Sequence, residues 1–268
     1  MSEVKTPSET QFITVGADMQ SRQIAMLLRA AAPGTQGPTL VWLGGYRSDM
    51  IGTKAIELDA LAARLGLAAI RFDYSGHGAS GGDFVDGTIS RWLEEALAVL
   101  DHVGPQKVVL VGSSMGGWVA LRLAQALSAR GSGPEIAGML LIAPAPDFTH
   151  ELIEPNLTDL ERHSLAERGF LEEPSAYSAA PNIYTRALIE DGRANRVMTG
   201  IIDTGCPVHI LQGMKDPDVP YSHALKLMEF LPADDVVLTL VHDGDHRLSR
   251  PQDIERMIGA AEALAKCD

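Results

Sequence analysis

Cysteine is nearly absent: the 268-residue chain holds only Cys206 and Cys267. Two thiols cannot build a disulfide scaffold, and no Cys-x-x-Cys metal pair exists. So few cysteines suit a reducing compartment, and the expected address is cytoplasmic. Long apolar runs are missing too. No stretch approaches the ~20 residues that span a bilayer, so no integral membrane segment is expected. Met1 to Thr10 carry Glu3 and Glu9 without an apolar core. That fits neither a secretory signal nor an arginine-rich transit peptide. Positive charge is short as well: 22 Lys and Arg face 35 Asp and Glu, a net charge of −13. This balance argues against a sequence-independent grip on nucleic-acid phosphates and against adsorption to anionic lipid. Internal repeats and low-complexity tracts are also missing.

What is present is an alternation of short β-branched runs and longer amphipathic stretches. Candidate strands are Gln11–Val15, Gln23–Arg29, Thr39–Leu43, Ala68–Asp73, Lys107–Gly112, Ile136–Ala143, Pro207–Gln212 and Val236–Val241. Candidate helices are Thr53–Leu65, Thr88–Val103, Met115–Ala129, Tyr221–Leu231 and Pro251–Ala265. Strand–helix alternation predicts an α/β fold: a mostly parallel eight-stranded sheet with helices on both faces. The first two strands lack a helix between them and are expected to form an antiparallel edge.

The stretch 147–204 breaks the rhythm with Pro155, Pro174 and Pro181 and apolar residues in short helical pieces. It carries 11 acidic and 5 basic residues, a net −6. The expectation is a helical cap inserted into a core made of 1–146 and 205–268.

The most informative run is Val108 to Trp118, which contains Gly112-Ser113-Ser114-Met115-Gly116. An apolar strand enters this Gly-x-Ser-x-Gly pattern and an amphipathic helix leaves it. Such a turn exposes a strained serine above the sheet edge, so Ser114 is the candidate nucleophile. The Met115 N–H at the helix start points toward a bound carbonyl oxygen. Gly78-Ala79-Ser80-Gly81-Gly82 satisfies the same pattern. No strand enters it directly and no helix leaves it, so Ser80 is read as a loop residue.

A serine hydroxyl needs a base, and the base needs an orienting acid. The loop after the seventh strand offers Asp216, nearer the strand end, with Asp218 as competitor. The loop after the eighth offers His246, with His242 as alternative. His242 and His246 also have the spacing of a metal pair, but no Cys or third His lies close in sequence, so no metal is expected. The remaining histidines are read as surface or satisfied loop residues. A second oxyanion donor is expected from Gly44-Gly45-Tyr46-Arg47, as the Tyr46 N–H. Gly45 lets backbone approach the substrate, and Arg47 could meet a substrate carboxylate. Phe148, Leu152, Leu157, Phe170, Tyr177, Ile183 and Tyr184 are candidates for an acyl pocket.

With these residues placed, the chain resembles the α/β-hydrolase superfamily over nearly its whole length. Asp73-Tyr74-Ser75-Gly76-His77-Gly78-Ala79-Ser80 is similar to the family's Asp-x-x-Gly-x-Gly-x-Ser loop. Other runs resemble its depalmitoylase and acyl-glucuronide esterase branch: Gly45 to Met50, Arg71 to Gly76, Val111 to Trp118, His209 to Asp216 and Asp245-His246-Arg247. The resemblance carries Ser114, Asp216 and His246 onto the family's triad positions. It implies hydrolysis of esters or thioesters through an acyl-enzyme, on a small-molecule or acylated-protein substrate, with no metal or organic cofactor. Gly44-Gly45 departs from the His-Gly of many members. Rival readings are an amidase, lactonase or carbon–carbon hydrolase, a ligand receptor with residual turnover, and a scaffold with an inactive site.

Overall fold

Successive strand residues point to opposite faces, and that alternation splits the interior into two apolar layers. The computed structural model describes residues 9–174, 181–232 and 235–266. In order come β1 (Gln11–Val15), β2 (Arg22–Arg29), β3 (Thr39–Leu43), α1 (Thr53–Leu65) and β4 (Ala69–Phe72). Then follow α2 (Ile89–Val103), β5 (Lys107–Ser113), α3 (Met115–Arg130) and β6 (Glu135–Ile142). Val41 and Leu43 of β3, with Val108 and Leu110 of β5, face a layer shared with Trp92 of α2 and Trp118 of α3. Leu40, Trp42, Val109 and Val111 face the other layer with Leu58 and Leu61 of α1. Strands buried on both faces read as continuous apolar runs, which is why they were legible. α2 starts at Thr88, whose side chain accepts the Arg91 N–H at 3.2 Å, and stops at Gly104 with φ 67°.

The chain is completed by α4 (Asp159–Glu167), β7 (Phe170–Glu173), β8 (Asn182–Thr185), α5 (Arg186–Ala194), β9 (Val208–Gly213), α6 (Tyr221–Met228), β10 (Val236–Val241) and α7 (Pro251–Ala265). The main sheet runs β1-β2-β4-β3-β5-β6-β9-β10. The pairs β1–β2 and β2–β4 are antiparallel, and the rest are parallel. The antiparallel edge thus lies where the missing crossover helix placed it. Among the described residues no helix is long and apolar enough to cross a membrane.

Between β6 and β9 the chain leaves the sheet. A π turn (Thr149–Ile153) and a 3-10 turn (Glu154–Asn156) precede α4, which opens on a capping box of Thr158 and Glu161. The short helices are joined by an antiparallel ribbon of β7 and β8, which the local sequence did not announce. Asp147 closes the base of the excursion. Its carboxylate accepts the Val197 and Met198 N–H groups at 2.8 and 2.9 Å.

One buried ion pair ties the antiparallel edge to α2. Arg22 Nε donates to Glu95 Oε1 at 2.6 Å, and Glu95 Oε2 accepts the Ser75 N–H at 2.8 Å. Both side chains are almost fully buried. Removing one partner leaves an uncompensated charge in the interior. Glu95→Ala should therefore lower unfolding stability by about 3–5 kcal/mol in urea titrations, whereas the exposed Glu135→Ala should cost under about 0.5 kcal/mol.

Candidate active site

The turn from β5 into α3 sets the geometry. Ser114 has φ 55° and ψ −119°, a conformation that non-glycine residues rarely adopt. The neighbouring backbone over-determines it. The Ser114 N–H donates to Ile142 O at 2.9 Å, and its carbonyl accepts the Gly117 and Ala145 N–H groups at 2.9 and 3.1 Å. A Cβ at Gly112 would collide with the Gly116 carbonyl, and one at Gly116 would collide with the Leu43 carbonyl. Only glycine lets the helix start so close to two strands.

The loops after β9 and β10 are bound to each other. Met214 N–H donates to Val241 O at 2.9 Å, and Lys215 N–H to Gly244 O at 2.8 Å. Asp216 and His246 therefore arrive together. His246 Nδ1 lies 2.8 Å from Asp216 Oδ2, and His246 Nε2 lies 3.1 Å from Ser114 Oγ. A carboxylate only accepts, so Nδ1 carries the proton and Nε2 is left to accept from the serine hydroxyl. Asp216 is buried, and its Oδ1 accepts the Asp218 and Val219 N–H groups at 2.9 and 2.8 Å. Asp218, the competitor, supports Asp216 through its backbone while its side chain is exposed. His242 is exposed, and His246 occupies the place beside Ser114. Ser80 is held elsewhere: its hydroxyl donates to Asp73 O at 2.6 Å and accepts the Ala25 N–H at 2.8 Å. Asp216, Asp218 and His246 bring one donor atom each within 4.8 Å of one another. Asp216 and His246 are already bonded to each other.

The β3 loop runs past Ser114. A Cβ on Gly45 would stand 3.1 Å from Ser113 O and 3.3 Å from Ser114 Cβ, so glycine brings the next peptide, with the Tyr46 N–H, alongside the serine. Met115 is the first residue of α3, where an N–H has no partner within the helix. The Tyr46 ring stacks on Tyr184 with centroids 5.4 Å apart, and its hydroxyl donates to Ile183 O. Burial pushes that phenol well above its ordinary range, so it stays a neutral donor.

Gly45, Tyr46, Arg47, Ser114, Met115 and His246 open on one cavity of about 890 Å³. Of the residues the sequence offered for an acyl pocket, Phe148, Leu152, Leu157 and Tyr184 line this cavity. Phe170 and Ile183 do not. In β7 it is Leu171 that turns inward, while Phe170 packs under the Arg168 guanidinium at 4.2 Å. Ile183 contributes its carbonyl to Tyr46 instead. Tyr177 and Cys267 lie outside the described residues. Arg47 lies over the Phe84 ring at 5.1 Å and donates to Pro181 O.

Two residues went unsingled in the sequence. Lys54, near the start of α1, lines the cavity and donates to Arg247 O, next to His246. Burial, with the Arg247 charge, pushes its ammonium down to about 8. His77 is buried beneath the β3 loop, and burial pushes its imidazole down to about 4. The only signal for His77 was its place between two glycines of the Asp73–Ser80 motif.

The chain matches the alpha/beta hydrolase family across residues 32–257. The chain belongs to that family. It is 33% identical to the mitochondrial palmitoyl-protein thioesterase ABHD10 of Mus musculus over 232 residues, which span 85% of this chain and 75% of that protein. The mouse alpha/beta hydrolase domain-containing protein 10 superposes with a TM-score of 0.82 at 28% identity, covering 96% of this chain and 98% of that one. A candidate hydrolase from Agrobacterium vitis S4 superposes with a TM-score of 0.95 at 70% identity, covering 97% and 100%. The eight-stranded, mostly parallel sheet is the family fold. The mammalian relatives are named as mitochondrial, so they lend no support to a cytoplasmic address.

Burial lowers the affinity of His77, His209 and His223 for protons in the folded state. The unfolded chain then binds more protons in acid, so stability falls as pH drops from about 6.5 toward 4. For His77 alone, the loss between pH 8 and pH 5 should be about 2 kcal/mol. Urea midpoints measured across that range should fall accordingly, and the fall should be smaller in His77→Gln.

Proposed function

We propose that this hydrolase is a serine thioesterase and esterase that acts on long-chain acyl groups through an acyl-enzyme. The observation that carries the reading is the chain of contacts from Asp216 to His246 to Ser114, 2.8 and 3.1 Å, with Ser114 and His246 lining the cavity.

In the first step Ser114 Oγ attacks the acyl carbonyl carbon while His246 Nε2 takes the hydroxyl proton. The carbonyl oxygen becomes an oxyanion beside the Tyr46 and Met115 N–H groups, which are fixed in place before the charge develops. His246 then gives its proton to the departing sulfur or oxygen as that bond breaks. Water adds to the acyl carbon while His246 takes its proton; the bond from that carbon to Ser114 Oγ then breaks, His246 returns the proton to Oγ, and the acid leaves. Asp216 holds the imidazole tautomer and stabilises its transient positive charge.

Residues 147–204 act in this reading as a cap over a core made of 1–146 and 205–268. Phe148, Leu152, Ile153 and Leu157 from the cap, with Met115 from below, offer an apolar path suited to an acyl chain. The ABHD10 relatives are named palmitoyl-protein thioesterases, which favours acylated-protein or small acyl thioesters as substrates here. An acyl-glucuronide reading would ask Arg47 to meet a carboxylate. Its guanidinium is already engaged with Pro181 O and Phe84.

Activity on acyl-thioesters of increasing chain length should rise toward long chains, and a fluorophosphonate probe should label the wild type but not Ser114→Ala. Asp216→Asn should lower kcat by about 10⁴-fold through the wrong histidine tautomer. Labelling of Ser114→Ala at the wild-type rate would remove the nucleophile from the scheme.

A further inference from the structure

The oxyanion peptide lies on a tight turn with a left-handed residue in it. Ser48 N–H closes the turn on Gly45 O at 3.1 Å. Its third residue, Arg47, has φ 58°, a left-handed conformation that costs an ordinary L-residue about 1–2 kcal/mol. The Arg47 side chain is exposed and reaches outward, over the Phe84 ring and to Pro181 O, while its backbone N–H is held from beneath.

That support is His77, from the loop after β4. Its Nε2 accepts the Arg47 N–H at 3.1 Å, and its Nδ1 lies 3.0 Å from Ser75 O. A carbonyl only accepts, so the proton sits on Nδ1 and Nε2 presents its lone pair to the turn. The ring cannot swing away. It is wedged among Tyr74, Phe84 and Trp92, with centroids 6.0, 5.1 and 5.5 Å away. The His77 loop is itself pinned: Asp73 Oδ1 accepts the Met50 N–H at 2.6 Å, and Oδ2 accepts the Ala79 N–H at 2.8 Å. The β3 loop is thus fastened to the β4 loop at two points, Arg47 and Met50. Tyr46 N–H belongs to the peptide just before the one that His77 holds.

We propose that His77 is a positioning residue, whose Nε2 fixes the Gly45–Ser48 turn so that the Tyr46 N–H meets the oxyanion. This rests on the reading of Tyr46 as an oxyanion donor. Burial keeps the imidazole neutral well into acid, as an acceptor at Nε2 requires. A donor misplaced by about 1 Å weakens the transition state far more than the ground state.

The test uses His77→Ala and His77→Gln in the full chain, with an acyl-thioester substrate and kcat normalised by fluorophosphonate titration of active sites. His77→Ala should lose about 10–100-fold in kcat with KM within about threefold. A trifluoromethyl ketone forms a hemiketal with its oxyanion in the same hole, and it should lose affinity in parallel. A carbonyl-free analogue of the substrate should bind as it does to the wild type. His77→Gln places an oxygen near the Nε2 position and should recover most of the rate. Wild-type kcat and ketone affinity in folded His77→Ala would overturn the proposal, as would a loss carried by KM alone. Should the alanine variant fail to fold, His77→Gln and His77→Asn decide. Asn reaches only the Nδ1 position, so equal rates in the two would overturn the proposal. Turnover by Ser114→Ala would instead remove the underlying serine mechanism, whatever His77 does.

Discussion

The strained conformation of Ser114 is the constraint on which the site depends. A residue at φ 55° and ψ −119° persists only where its surroundings leave no alternative. Here β6 holds its N–H, Gly117 and Ala145 hold its carbonyl, and the start of α3 presses against the end of β3. The sheet and the two apolar layers behind it supply the rigidity. The result is a hydroxyl presented above the strand ends, where loops from β3, β9 and β10 converge.

Those loops reach the serine as linked pairs. The Asp216 and His246 loops are joined by backbone bonds from Met214 and Lys215. The β3 loop is fastened to the β4 loop through Met50 and Arg47. The inserted segment reaches the same place from above, because Tyr46 and Arg47 donate to carbonyls at Ile183 and Pro181. One short turn is therefore gripped from below by His77 and from above by β8. The backbone beside Ser114 is met from both sides at once.

Much of this was visible in the residue order. Strands covered on both faces are continuous apolar runs, and their limits were read nearly to the residue. β4 is shorter than its apolar pattern, because Asp73 turns its carboxylate to the Met50 and Ala79 N–H groups. α6 stops at Met228 rather than Leu231. The ribbon of β7 and β8 was not legible. Each strand is four residues long, and neither is a strand without the other. The same pairing turned Leu171 into the cavity and Phe170 away from it.

The sequence by itself determined the alternation of strands and helices, the serine turn between β5 and α3, and the chain order of Ser114, Asp216 and His246. These follow from local periodicity and from glycines at fixed offsets. Only the tertiary structure shows that Asp216 rather than Asp218, and His246 rather than His242, lies in a chain of contacts to Ser114, while Ser80 is bonded elsewhere. Within each pair the residues stand two to four positions apart or share one motif, so local pattern cannot separate them. The distance from His246 to Ser114 separates them, and that distance exists only once β5, β6, β9 and β10 lie side by side. His77 is the same case: a lone loop histidine in the chain becomes the support of a turn thirty residues earlier only after β3 and β4 pair.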